Sequence, residues 1–247
     1  MRDDPGLADG GADRRRFLKR AGVAAVGVAA LGAGLSRVAF AADPGKPPPK
    51  PENAISPDEA LDRLMHGNAR YVKGASKRHD FKTEREALVG GQNPYAAILS
   101  CADSRIAPEY AFDAARGDLF VVRVAGNFAN DDVIASLEYG VAMLNVPLIM
   151  VLGHGSCGAV EATIKSLEGH TELPGHLPSL VKAITPAVKA AIPDAGGLLD
   201  NAIRENVLLN VQTLMTAMPI LNKAIDDKKL RVVGGIYNLA TGKVDLV

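Results

Sequence analysis

Short apolar runs alternate with longer stretches of helical period along this chain. Ala96-Ala97-Ile98-Leu99-Ser100, Asp118 to Val124 and Pro147 to Gly153 are nearly continuous in apolar residues, the pattern of strands covered on both faces. Between the last two, Asp131 to Leu144 spaces Val133, Ile134, Leu137, Val141 and Leu144 as one helical stripe. An earlier helix opens at Ser56 as N-cap, with Pro57 at its first position and Asp58 and Glu59 in its first turn. Its stripe runs from Ala60, Leu61, Leu64 and Met65 through Tyr71 and Val72, and Gly74 is expected to end it. Helices are also expected from Cys157 to about Leu167, from Leu177 to Ile192 and from Leu198 to Ile225, the last broken or kinked at Pro219. Leu230 to Tyr237 and Lys243 to Val247 predict a closing β-hairpin around Asn-Leu-Ala-Thr-Gly. Strands alternating with helices predict an α/β fold with a mostly parallel central sheet flanked by helices. No period of about 20–50 residues recurs, so the chain is not a repeat protein.

The first 41 residues stand apart from this pattern and are expected to be an export signal. Arg14-Arg15-Arg16-Phe17-Leu18-Lys19 fits the twin-arginine signature. A weakly apolar Ala/Gly/Val run follows from Ala21 to Leu35, and Ala39-Phe40-Ala41 has the small-x-small form of a cleavage site. The run is short for a membrane span of roughly 20 residues, which favours a cleaved signal over an anchor. Residues 42–55 are a proline-rich linker, expected to be extended, and 56–247 form the folded domain. The route places the mature protein in the periplasm or cell envelope, with no membrane span.

Charge narrows the partners. Residues 1–41 hold seven of the 28 Lys/Arg and four of the 28 Asp/Glu, so the mature chain carries a net charge of −3. No basic cluster suggests nucleic-acid binding.

The chemistry-bearing residues lie where two apolar runs end, the usual place for sites in open α/β sheets. Cys101 opens Cys-Ala-Asp-Ser-Arg, and Gly-His-Gly-Ser-Cys-Gly brings His154 and Cys157. These are the chain's 2 cysteines. Two cysteines and a histidine are a known ligand set for catalytic zinc, with the fourth position left to water or substrate. The His-x-x-Cys spacing puts both ligands near a helix N-terminus, which favours thiolate. Asp103 and Arg105, if the segment is extended, share a face with Cys101. Arg105 can hold Asp103 ionised through a bidentate pair. Asp103 then has two possible uses, orienting the nucleophile at the metal or ligating the metal itself. A structural disulfide between Cys101 and Cys157 is the rival reading of an exported pair, and it leaves Asp103, Arg105 and His154 unexplained.

Together with Gly-Asp-Leu-Phe-Val-Val-Arg-x-Ala-Gly-Asn at 117–127, Ser-x-Glu-Tyr-Gly-Val at 136–141 and Gly-His-x-x-Cys-Gly-Ala at 153–159, this resembles the β-class carbonic anhydrases, collinear from about Pro57 to the C-terminus. The resemblance implies one zinc per chain held by Cys101, His154 and Cys157, and a catalytic dyad of Asp103 and Arg105. It implies reversible hydration of CO2 to bicarbonate by attack of zinc-bound hydroxide. It also implies a substrate pocket of Gln92, Phe120 and Tyr139 at a dimer interface, and a homodimer or tetramer in which an N-terminal helical arm, here Ser56 to Val72, packs on the partner. Ala125 stands where valine is frequent in the family, and Ile98 stands where members with a second, non-catalytic bicarbonate site carry tryptophan, so that site is expected to be missing. His66, His79, His170 and His176 have no spacing that assigns them a proton relay. Two alternatives stay open: hydrolysis of CS2 or COS on the same scaffold, and a non-enzymatic zinc or redox protein.

Overall fold

The computed structural model describes residues 49–169, 173–192 and 195–247. The signal at 1–41, linker residues 42–48 and His170 lie outside the described residues. Strands β1 (Ala96–Ser100), β2 (Leu119–Arg123), β3 (Leu148–His154), β4 (Arg231–Tyr237) and β5 (Val244–Leu246) form one sheet in the order β2-β1-β3-β4-β5. The first four are parallel, and β5 closes an antiparallel hairpin on β4. Every residue of β1 and β3 is buried, which is why their sequences are unbroken apolar runs. β2 lies at the edge, and most of its residues are only half-buried.

Helices cover both faces. Helix α1 (Pro57–Val72) puts Ala60, Leu61 and Leu64 against Ile98, Met150 and Leu152. Its start is a complete capping box: the Ser56 side chain accepts from the Glu59 N–H, and the Glu59 carboxylate accepts from the Ser56 N–H at 2.9 Å. Such a cap contributes about 1 kcal/mol. Gly74, in the left-handed region at φ 66°, follows its last turn. The first part of its stripe is thus spent on this chain's own sheet, while Ala69 and Val72 stay exposed. The opposite face takes α4 (Asp131–Leu144), capped by Asn130, and parts of α7 (Leu198–Thr216) and α8 (Leu221–Asp226). The expected break at Pro219 falls between these last two. A third cluster joins α5 (Gly158–Leu167), α6 (Leu177–Ala191) and α7 around Cys101 and Cys157.

Two short helices were not expected: α2 (Phe81–Ala87), capped by Asp80, and α3 (Pro108–Ala111). Neither is long enough to show a period, and α2 buries nothing. The linker also departs from expectation at its end. Pro51–Asn53 makes a 3-10 turn, and Asn53 is buried, bonding the Asn93 carbonyl at 2.7 Å and the Asp118 carboxylate at 3.1 Å. Its polar groups dock it in spite of its prolines. Among the described residues no helix is long and apolar enough to cross a membrane.

Candidate metal centre

Register assembles the site. β1 and β3 are neighbours with Ser100 opposite Leu152, so the chain leaving β1 at Cys101 runs beside Gly153 and His154. Beyond β3, Ser156 turns in the left-handed region at φ 51° and delivers Cys157 as the N-cap of α5. One ligand atom each of Cys101, His154 and Cys157 then falls within 4.8 Å of the others. All three residues are at most 4% exposed. Gly153 lets β3 approach α7 closely, since a Cβ there would meet Val207 at 2.6 Å.

Hydrogen bonds orient each donor. His154 Nδ1 donates to the Gly155 carbonyl at 2.9 Å, and the Gly155 N–H donates to the Tyr237 carbonyl at 3.0 Å. That leaves Nε2 as the lone-pair nitrogen, buried and without a hydrogen-bond partner. An orphaned imidazole nitrogen beside two sulfurs is the signature of a metal ligand set, and a Cys2His set suits zinc. The Gly126 N–H donates to Cys101 Sγ at 3.3 Å. Both sulfurs are free thiols or thiolates, not a disulfide.

Electrostatics points the same way. Cys101 is pulled down to about 4, first by the hydrogen bond from Cys157, against burial, with help from His154 and the amides of Gly126 and Asp103. Cys157 moves the other way, raised by the same contact with Cys101 and by burial, although the Ala159 and Val160 amides of the helix start oppose this. The contact thus disfavours two negative sulfurs side by side, a cost that a bound dication would remove. Burial lowers the pKa of His154, but Cys101, the Gly155 carbonyl and Asp103 more than offset it.

Asp103 and Arg105 make the expected bidentate pair, on a backbone of different form. The segment is not extended: the Arg105 N–H donates to Asp103 Oδ1 at 2.9 Å, closing an Asx turn. The Arg105 guanidinium then forks onto the carboxylate, Nε to Oδ1 at 2.9 Å and Nη2 to Oδ2 at 2.6 Å. Nη2 also reaches the Ser156 carbonyl at 3.0 Å, tying the two site loops together. This fork holds Asp103 well below the usual carboxylate range. Oδ2 lies 3.9 Å from His154 Nε2, so the carboxylate faces the ligand cluster while engaged with Arg105.

The three pocket residues are elsewhere. Phe120 stacks on Tyr139, ring centroids 6.3 Å apart. Phe120 pairs with Ala97, four residues before Cys101, which is roughly 13 Å along the strand. Gln92 is exposed and precedes the opposite end of β1. A cavity of about 680 Å³, lined by Tyr71, His79, Phe81, Tyr110 and Asp113 among others, contains no ligand residue. Two groups that touch Cys101 were not singled out by sequence: the Gly126 amide and the Arg123 side chain. Both lie in the 117–127 motif, but which atoms they present depends on how the loop folds.

Comparison with known proteins agrees with this geometry. The family described as carbonic anhydrase matches residues 96–244. "Carbonic anhydrase 2" of Mycobacterium tuberculosis is 38% identical over 192 residues, covering 77% of this chain and 93% of that protein. Among solved structures, the beta-carbonic anhydrase CcaA superposes with a TM-score of 0.58 at 29% identity, covering 76% of this chain and 98% of its own. A tetrameric beta-carbonic anhydrase of Sordaria macrospora, at 23% identity and a TM-score of 0.62 over 77% of this chain and 97% of its own, shares the fold. With its parallel sheet, its buried Cys/His/Cys cluster and these likenesses, the chain belongs to the β-class carbonic anhydrases.

Proposed function

We propose that this enzyme interconverts CO2 and bicarbonate with one zinc ion per chain, held by Cys101 Sγ, His154 Nε2 and Cys157 Sγ. The observation that carries the reading is the unpartnered Nε2 of His154 between two free sulfurs, facing a carboxylate fixed by an arginine fork. Bound zinc would supply Lewis-acid chemistry, which brings the pKa of water from 15.7 to about 7. The chain's own groups do the rest. Asp103 Oδ2 accepts a hydrogen bond from the attacking water and orients it. Arg105 keeps that carboxylate ionised and aimed. Gly155 holds the imidazole in the tautomer that ligates. The test is stopped-flow CO2 hydration on protein beginning at Ala42, with zinc measured on the same sample. About one zinc per chain and turnover that rises with pH are expected. Turnover of CS2 with none of CO2 would move the substrate assignment, and a zinc-free disulfide would end it.

The pocket reading requires a second copy of the chain. Phe120 and Tyr139 stack at the sheet edge far from their own chain's ligands, so a homodimer or tetramer would have to bring them to a partner's site. We also propose twin-arginine export to the periplasm or cell envelope, on the strength of Arg14-Arg15-Arg16-Phe17-Leu18-Lys19. Arg14→Lys with Arg15→Lys should leave the protein in the cytoplasmic fraction; unchanged export of that variant would discard the route.

A further inference from the structure

Arg123 ends β2 opposite Ser100, where the ligand loop leaves the sheet. The ladder between the two strands continues briefly: Val124 N–H donates to the Ser100 carbonyl at 3.1 Å and Ala102 N–H to the Val124 carbonyl at 3.3 Å. From Cys101 on, the carbonyls of this loop find no partner in the ladder, and the Asp103 carbonyl has only the Ile106 N–H at 3.3 Å from the backbone. The Arg123 guanidinium bonds three of them. Nε donates to the Cys101 carbonyl at 2.9 Å, and Nη2 to the carbonyls of Asp103 at 2.7 Å and Ile106 at 2.9 Å. These are the backbones of the thiolate ligand, of the dyad carboxylate and of the residue that anchors the loop in the core, Ile106 being 1% exposed.

We propose that Arg123 is a positioning residue for the metal centre, whose planar fork sets the ligand Cys101 and the carboxylate of Asp103 in one register through three backbone carbonyls. The inference rests on the zinc reading above. Arg105 fixes the Asp103 side chain from the front; Arg123 fixes the loop from behind. A lysine is a single point of charge and cannot span these carbonyls from Nε and Nη2 together. Positive charge beneath the loop also lies behind two groups that act as anions.

Arg123→Met keeps the aliphatic stem and removes the fork, and Arg123→Lys keeps the charge. Zinc affinity by chelator competition and the thiolate-to-metal absorption of the cobalt-substituted protein are measured beside kcat and KM. Outer contacts of this kind typically tune metal affinity or activity about 10–100-fold. The expected result is zinc affinity weakened about 10–100-fold in Arg123→Met, a shifted cobalt band, a fall in kcat rather than a rise in KM, and no rescue by Arg123→Lys. A residue that only supports the fold would lower the melting temperature and leave the affinity and cobalt band of the folded protein at parental values; that result overturns the proposal. If Arg123→Met does not fold, Arg123→Lys decides by the same two readouts. Parent protein that binds neither zinc nor cobalt overturns the zinc reading and this proposal with it. Loaded parent and indistinguishable variants overturn the role of Arg123 alone.

Discussion

At the scale of single residues, the centre is built from groups that each have one job left after their local bonds are made. His154 has given Nδ1 to a backbone carbonyl and keeps Nε2. Asp103 has given both oxygens to Arg105, and Oδ2 still faces the cluster. Asp103→Asn keeps the shape and removes the charge; kcat for CO2 hydration should fall about 10²–10⁴-fold while zinc content stays at parental level. Equal turnover in that variant would remove Asp103 from the mechanism. The sign of its pKa shift also fixes a pH expectation. The Arg105 fork depresses the folded-state value, so Asp103 is ionised throughout neutral pH. Its ion-pair contribution to stability is present above the ordinary carboxylate range near 3.9 and is lost only as pH falls through the depressed value. Under the zinc reading, a rise of turnover between about pH 6 and 8 would come from water acidified by the bound ion, near pKa 7, and not from Asp103. Arg105→Gln should leave that rise in place and lower its plateau.

At the scale of elements, close backbone approaches set where the site sits. Gly67 of α1 lies against the end of α3, and an added Cβ would come within 1.8 Å of the Phe112 carbonyl oxygen. A backbone atom cannot swing aside as a side chain can, so helix and turn must separate. Gly67→Ala is expected to cost about 3 kcal/mol, which for a domain of this size lowers the melting temperature by about 6–12 °C. An unchanged thermal transition would mean that the α1–α3 approach is soft. α3 follows the Cys101–Ile106 loop directly, so the same variant should also slow turnover modestly. The sequence announced α1, α4 and the strands because caps and apolar periods are local signals. It was silent on α2 and α3 because a helix of one or two turns has no period to read.

At the scale of the whole molecule, the sheet separates two parts that the family reading joins. The ligands lie at the carboxyl ends of β1 and β3, while Phe120 on the edge strand stacks against Tyr139 of α4, which is 48% exposed. If an oligomer completes the pocket, two defective chains should repair each other. Mixing Asp103→Asn with Tyr139→Ala after dissociation and reassembly should restore up to about one quarter of parental activity, from sites that take an intact dyad from one chain and an intact tyrosine from another. Activity that stays at the sum of the two variants, with oligomers forming normally, would discard a pocket shared between chains.

The residues themselves determined the chemistry and the class of fold. Cys101, His154, Cys157, Asp103 and Arg105 are the donor types that zinc and an ionised carboxylate require, and unbroken apolar runs admit few arrangements other than a covered parallel sheet. Only the tertiary structure decided how those groups are presented. The choice of Nε2 over Nδ1 came from the Gly155 carbonyl, the Asx turn at Asp103 from a backbone amide two residues on, and the support of Cys101 from the Gly126 amide and the Arg123 fork. The last two join the end of β1 to the end of β2 and the loop after it, and all of them set an atom's direction, which depends on strand register and turn geometry rather than on residue type. Strand order placed Phe120 at an edge and so raised the question of a second chain, and local pattern carries no information about which strand lies outermost.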